Sequence, residues 1–133
     1  MWDEWEAFLE ESELESVENI QRYLLFCVPM AIKLLEIIYM SRVQPEIRIA
    51  KIFSTFEIKA LEIFMAMQGV EPEGNISEMS LSQAIRIIAM QGGWKSRKRD
   101  GPPGVRVLWA GMKLLSFLAE GLETQKKLKK GRV

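Results

Sequence analysis

The sequence contains no histidine and only one cysteine, Cys27. Without histidine there is no imidazole to activate a nucleophile and none to bind a metal ion. A single cysteine forms neither an intramolecular disulfide nor a zinc site. Because Cys27 lies in an apolar stretch, we interpret it as a small core residue and expect a reducing, cytoplasmic setting. We predict no catalytic residue, no metal ion, no cofactor and no small-molecule substrate.

The sequence also lacks the pattern of a secreted, membrane or β-sheet protein. Acids follow the first methionine, so we expect no signal peptide. The most apolar stretch, residues 23–39, contains Lys33 and Glu36, whose charges would be costly inside a bilayer, so we interpret it as a buried helix with no membrane partner. Alternating β-branched residues are too few for a sheet. We predict an all-α fold, a small bundle of four to five helices with a long apolar first helix and an amphipathic C-terminal helix.

The first helix is predicted by an apolar stripe from Val17 to about Arg42. Ser12 and Glu15 have the spacing of a capping box, so the helix is expected to begin near Ser12 or Ser16. Pro29 removes one helical hydrogen bond, which predicts a kink or two helices placed end to end.

Two shorter helices are predicted by serines placed before apolar runs. Ser54 with Glu57, and Ser80 with Gln83, have capping-box spacing. Glycines follow each run where a helix usually ends: Gly69 after the first, and Gly92 with Gly93 after the second.

Charge is strongly polarised along the chain, although the formal net charge is zero. Residues 1–18 contain eight acids and no base, whereas residues 95–133 contain eleven bases and three acids. This pattern indicates contact of the basic end with nucleic acid or an acidic protein. Mutual neutralisation of the two ends, within a dimer or a longer protein, and a merely solvated surface are the alternatives.

A basic loop, residues 95–99, lies between the last two predicted helices. Its cations are the predicted DNA-binding residues: Lys95, Arg97, Lys98 and Arg99. Such side chains contact phosphates and supply affinity rather than sequence recognition. Trp94 and Trp109 could stack on bases, but aromatic residues at helical spacing are more often core residues.

The last helix, from Gly104 or Val105 to about Thr124, is apolar over a wide arc. Such a helix needs two surfaces to cover it, and we assign one of them to a second subunit. The alternative is that the rest of the chain covers it completely. Gly111 is expected to permit close backbone approach at the subunit contact. The predicted interface residues are Leu108, Trp109, Met112, Leu115, Leu118, Ala119 and Leu122.

This arrangement resembles the C-terminal dimerisation domain of Tn5-type cut-and-paste DDE transposases, in the insertion-sequence-four family. Those proteins carry a similar run of two glycines and an aromatic residue, a basic Asp-Gly-Pro-Gly loop, Leu-Trp-x-Gly and an apolar helix closing on Glu-Gly. The matching residues are Gly92, Gly93, Trp94, Arg97, Lys98, Asp100, Gly101, Pro103, Gly104, Leu108, Trp109, Gly111, Leu114, Glu120 and Gly121. Residues 18–24 are similar to the run that opens the family's long apolar helix.

The resemblance implies a part of a transposase that does not cut DNA. Two of the family's metal-binding carboxylates would lie far upstream, and the third belongs to a Tyr-x2-Arg-x3-Glu-x6-Lys signature. Here Glu4 and Glu6 are followed seven residues later by Glu11 and Glu13, so the signature is not matched. We expect an acidic segment at 1–15, a helical dimerisation domain at 16–124 and a disordered basic tail at 125–133.

The function expected from the resemblance is dimerisation in DNA transposition by a bacterial mobile element. The partner would be a second copy or a full-length transposase. The chain would then be a truncated protein that inhibits transposition or is functionally silent. A small DNA-binding module using loop 95–99 and the tail is the alternative.

Overall fold

The structure, a computed structural model, describes residues 2–131. In that range the chain forms four α-helices: α1 Trp2–Val43, α2 Thr55–Gln68, α3 Leu81–Gln91 and α4 Val105–Lys130. Three single turns of 3-10 helix lie between them, at Ile49–Lys51, Ile76–Glu78 and Lys98–Asp100. The described residues contain no β-strand, only an isolated bridge between Arg48 and Ser80. The predicted all-α bundle is confirmed.

The chain divides into two compact units, residues 1–32 and residues 33–133. The described residues of the first unit form a single helical segment of α1 that is exposed along most of its length. The second unit contains the end of α1 and everything after it. There α2 and α3 each pack against α4 and against one another.

The core of the second unit consists of apolar side chains from the end of α1, from α2, α3 and α4, and from the first 3-10 turn. Its most deeply buried large members are Ile37, Ile49, Leu61, Met65, Leu81, Ile88, Met112 and Leu115. Burying one such side chain contributes roughly 1.5–3 kcal/mol. Backbone hydrogen bonds connect residues 47–49, where the first 3-10 turn begins, to the start of α3. Ile49 donates to the carbonyl of Met79 (3.0 Å), and Leu81 donates to that of Ile47 (2.8 Å).

The caps of α2 and α3 follow the serine spacing. Ser54 and Glu57 form both bonds of a capping box, with donor–acceptor distances of 3.2 and 2.9 Å. Gly69 ends α2 with a left-handed φ of 72°. Ser80 accepts from the amide of Gln83 at 3.3 Å and begins α3. These predicted helix boundaries are confirmed.

The first helix differs from the prediction at its start and at Pro29. It begins at Trp2, well before Ser12 or Ser16. It also continues through Pro29 as one helix, so the alternative prediction of two helices placed end to end is wrong. Pro29 cannot donate to the carbonyl of Leu25. Leu25 is 76% exposed, so that carbonyl lies on a side of the helix that water reaches, which lowers the cost of the missing bond.

The interpretation of residues 23–39 as a buried helix is also wrong. Only one stripe is buried, formed by Cys27, Met30, Leu34 and Ile37. Other large apolar side chains of the stretch are exposed, including Leu35 at 67%. Within the described residues α1 is the one helix long and apolar enough to cross a membrane, by length and composition alone. A core helix of a soluble protein passes the same test, so the expectation of no membrane partner stays a prediction.

The last helix is longer than predicted. It continues beyond Thr124 to Lys130, so residues 125–130 are helical and not the disordered tail that was expected. Its last turn contains Lys127, Lys129 and Lys130, cations that interact favourably with the negative end of the helix dipole. Residues 132 and 133 of the predicted tail lie outside the described range.

Candidate functional site

The basic loop is held by backbone geometry at the end of α3. Of the two glycines, Gly93 adopts the left-handed region with a φ of 106°, whereas Gly92 has a φ of −83°. The amide of Trp94 donates to the carbonyl of Ala89 at 2.9 Å. Ser96 has a φ of 59°, which is rare for a residue with a side chain. The loop therefore has a defined conformation from its first residues.

Arg97 differs from the other cations of the loop, because Asp100 engages it. Its Nε and Nη2 atoms donate to the two carboxylate oxygens at 2.9 and 3.2 Å, and its amide donates to Oδ2 at 3.3 Å. The hydrogen bonds and charge of Arg97, helped by the charge of Lys95, lower the pKa of Asp100 below its ordinary value. The same pair raises the pKa of Arg97. Arg97 thus closes the 3-10 turn at Lys98–Asp100.

The other three predicted DNA-binding residues are Lys95, Lys98 and Arg99. All are exposed, and none forms an ion pair with any residue the structure describes. Their ammonium and guanidinium groups are available to an external anion.

A cleft of about 790 Å³ lies beside the loop, entirely within the second unit. Arg42 from the end of α1 and Arg86 from α3 join Arg97 and Lys98 in its wall. Arg42 and Arg86 could not be assigned to this site from the sequence, because they are far from the loop along the chain. Only the fold, which places the end of α1 and α3 on the same cleft, brings them together, and no local sequence pattern carries that information.

Arg86 also braces the loop. Its guanidinium lies over the ring of Trp94, 5.6 Å from the centroid, and donates to the hydroxyl of Ser96 at 3.4 Å. Trp94 is half-buried, and its indole Nε1–H is shielded from water without a hydrogen-bond partner in the structure. A stacked guanidinium of this kind contributes about 0.5–1 kcal/mol at an exposed site.

Four of the seven predicted interface residues lie in the core of their own chain. Leu108, Met112, Leu115 and Ala119 are at most 8% exposed. The other three, Trp109, Leu118 and Leu122, are half-buried. The assignment of all seven to a subunit contact stays a prediction, and the first four have little surface to offer a partner.

Gly111 makes its close approach within the chain. A Cβ at this position would lie 2.0 Å from the carbonyl oxygen of Ile88 in α3. Gly92 is equally constrained, since a Cβ there would lie 2.0 Å from the carbonyl oxygen of Val107 in α4. The expected role of Gly111 at a subunit contact is therefore corrected: it permits the crossing of α3 and α4.

Other apolar side chains of α4 remain at the surface. Val105 is 63% exposed, Leu114 46%, Phe117 59% and Leu128 62%. Two apolar sides thus exist on α4, one in the core and one outside it.

The acids of the first eighteen residues show no arrangement typical of a metal site. Those described are exposed along α1. Among the described residues no group of three or more His, Cys, Asp or Glu side chains is placed to hold a metal ion.

Comparison with protein families matches residues 29–130 to the Transposase Tn5 dimerisation domain. The chain belongs to this family. The dimerisation domain is a non-catalytic part of a transposase, and its role is interaction with a transposase chain. The match contains the end of α1 and all of α2, α3 and α4. The predicted limits of 16–124 for this domain stay a prediction. No curated protein and no solved structure matches the chain.

Proposed function

We propose that this dimerisation domain pairs with a second copy of itself through the outer face of α4, defined as Ala110, Leu114, Phe117, Leu118 and Gly121. These positions fall within about 100° of arc on one side of the helix. The face contains no charged residue. The carrying observation is that Leu114 and Phe117 are 46% and 59% exposed while the opposite side of α4 is in the core.

The proposal follows from the cost of exposing apolar surface. An apolar helix side in contact with water is stabilised by covering it, at roughly 25 cal/mol per Å² of apolar surface buried. A stable protein interface buries about 800 Å² on each partner, which is more than five residues of one helix supply. Leu128, which is 62% exposed and lies on the same side of α4, extends the surface that a partner could cover.

The test is the molar mass of the purified chain across a dilution series, by sedimentation velocity or light scattering. We expect a monomer–dimer equilibrium that Leu114→Glu shifts towards monomer. Ser116→Glu is the matched control, because it adds the same charge to α4 about 100° of arc from the nearest residue of the outer face. Circular dichroism verifies that each variant is folded. A strict monomer at tens of micromolar, or equal dimerisation by both variants, would contradict the proposal.

Pairing with a full-length transposase would make the chain an inhibitor of transposition. The same face of α4 would then form a mixed dimer with one catalytic core in place of two. Co-expression with a complete transposase of the family should lower the transposition frequency, and Leu114→Glu should restore it. Unchanged frequency together with a confirmed homodimer would favour a silent protein.

DNA binding by the basic loop is the second candidate function. Its supporting observation is the exposure of Lys95, Lys98 and Arg99 without ion pairs in the described structure. Lys126, Lys127, Lys129 and Lys130 at the end of α4 add charge. Three phosphate contacts would give a slope of log affinity against log salt of roughly −2.7, at about −0.9 for each.

A mobility-shift assay at two salt concentrations tests this candidate. Replacing the three loop cations by alanine should weaken binding and flatten the salt slope. A triple alanine variant at Arg22, Lys51 and Lys59 removes the same formal charge elsewhere. Equal binding by both variants would exclude the loop.

A further inference from the structure

The cleft beside the basic loop is lined by charges of one sign. Its charged lining side chains are all cations: Arg42, Arg86, Arg97 and Lys98. No acid lines it. Asp100 is the nearby acid of the loop, and its carboxylate is occupied by Arg97. Two of the cations, Arg42 and Lys98, have no hydrogen bond or ion pair with any residue the structure describes. Like charges gathered in one cleft are unfavourable unless an anion enters.

Other polar groups of the wall can donate to an oxyanion. Such hydroxyls come from Ser82 of α3 and Ser96 of the loop, whereas the hydroxyl of Ser41 donates to the carbonyl of Ile38. Gly104 and Val105 also line the cleft, where α4 begins. Gly104 has no side chain to cap the first amides of that 26-residue helix, so they carry the positive end of its dipole unpaired. These amides add to the field of the four cations.

We infer that this cleft binds a phosphate group of a DNA backbone, with Arg42 and Lys98 as its main ligands and Arg86 as a third cation. An arginine fork matches the geometry of phosphate oxygens, and the lysine adds a point charge. The cleft has polar and apolar walls, and its apolar part, formed by Ile38, Ile85 and Leu108, suits the sugar next to the phosphate.

Phosphate binding in the cleft rests on the second candidate function, DNA binding, and differs in one respect from DNA binding by the basic loop alone. Arg42 belongs to α1, more than fifty residues before the loop, and nothing in the loop depends on its side chain. Loop binding alone predicts no role for Arg42, whereas cleft binding requires it. Arg86 is less suitable for a test, because it also braces Trp94 and Ser96.

The experiment compares Arg42→Ala with Arg22→Ala in binding of a short DNA duplex at low and moderate salt. Arg22 is an exposed arginine of the same helix outside the cleft, so both variants lose the same charge. We expect Arg42→Ala to weaken binding about tenfold and to flatten the salt slope by about 0.9, and Arg22→Ala to bind as wild type. Equal affinity of the two variants overturns the cleft, even where the loop variant shows that the loop binds DNA.

A second arm uses inorganic phosphate and does not depend on DNA binding. In a ¹⁵N NMR titration the indole signal of Trp94, identified by its loss in Trp94→Phe, should shift together with the backbone amides of Ser96 and Lys98. Arg42→Ala should abolish these shifts and Arg22→Ala should preserve them. If phosphate shifts these NMR signals but the chain does not bind the duplex, the cleft is a phosphate site and the DNA backbone is excluded as its source of phosphate. The inference is overturned if phosphate shifts none of these NMR signals and Arg42→Ala and Arg22→Ala bind DNA with equal affinity.

Discussion

Gly111 and Ile88 define the contact on which the packing of α3 against α4 depends. A Cβ at Gly111 would lie 2.0 Å from the Ile88 carbonyl oxygen and 2.8 Å from its carbonyl carbon. Both of these are backbone atoms, which cannot move aside as a flexible side chain can. The reciprocal contact of Gly92 with Val107 fixes the crossing at a second point.

Gly111→Ala is expected to destabilise the fold strongly. Separating the two helices enough to fit a methyl group disrupts the core around them, at a cost of about 1–3 kcal/mol or more. Urea denaturation followed by circular dichroism measures it. Gly121→Ala is the control on the same helix, because nothing lies within 4 Å of its Cβ. That change should stabilise α4 by about 0.5–1 kcal/mol. Similar stabilities of the two variants would contradict the close crossing.

Ser54→Ala is expected to destabilise the chain by about 1 kcal/mol. It removes the side-chain acceptor for the Glu57 amide at the start of α2. The control is Ser16→Ala, within the exposed part of α1 and not at a helix start. Alanine is the better helix former, so this change should be neutral or slightly stabilising. If Ser16→Ala lowered the free energy of unfolding as much as Ser54→Ala, the side-chain cap at Ser54 would not be what stabilises α2.

The serine caps and the α1 start show where sequence reasoning succeeded and where it failed. Ser54, Ser80 and Gly69 were identified correctly because a cap is a local hydrogen-bond pattern within four residues. Ser12 has a similar local pattern with Glu15, but it lies inside α1, as does Ser16. A capping pattern marks where a helix can begin, and it carries no information on whether a helix already precedes it.

The role of Gly111 and the composition of the cleft could not be predicted for a different reason. The sequence indicated correctly that Gly111 permits close approach, but not that the neighbour would be Ile88 of the same chain. Arg42 and Arg86 likewise line one cleft only because the fold brings together helices that are distant in sequence. Burial on α4 also depends on contacts between distant segments. Helical periodicity identified Leu108, Met112 and Leu115 as one apolar side, but it could not show whether that side packs in the core or against a second subunit.

The carboxyl group of Asp100 is expected to titrate below its ordinary pKa of 3.8. Its hydrogen bonds with Arg97 stabilise the charged form. Because the pKa is lower in the folded chain, the pair stabilises the turn above the unfolded pKa. That contribution is lost as the pH falls through the folded value. A ¹³C NMR titration of the side-chain carboxyl measures the midpoint, and Arg97→Gln should raise it towards 3.8. An unchanged midpoint in that variant would contradict the pairing.

Lys33 stabilises the segment between α1 and α2 by a contact with a residue 19 positions later in the sequence, which the sequence pattern did not predict. Its ammonium group donates to the carbonyl of Ile52 and lies 5.5 Å from the centroid of the Phe53 ring. Ile52 and Phe53 are buried, at 9% and 5% exposed. Lys33→Met keeps the apolar stem and removes the donor, leaving a carbonyl in a largely buried segment without this partner. We expect a loss of about 1.5–3 kcal/mol in the free energy of unfolding.

Lys51→Met is the matched control for Lys33→Met. Lys51 is exposed, and its side chain makes no hydrogen bond or ion pair with the described residues. The same change there should stay within about 0.5 kcal/mol of wild type. Lys33→Arg should recover most of the loss, because a guanidinium also donates and stacks on an aromatic ring. If Lys33→Met and Lys51→Met unfolded at the same urea concentration, the Ile52 carbonyl would not depend on Lys33, and the connection would be stabilised by its apolar contacts alone.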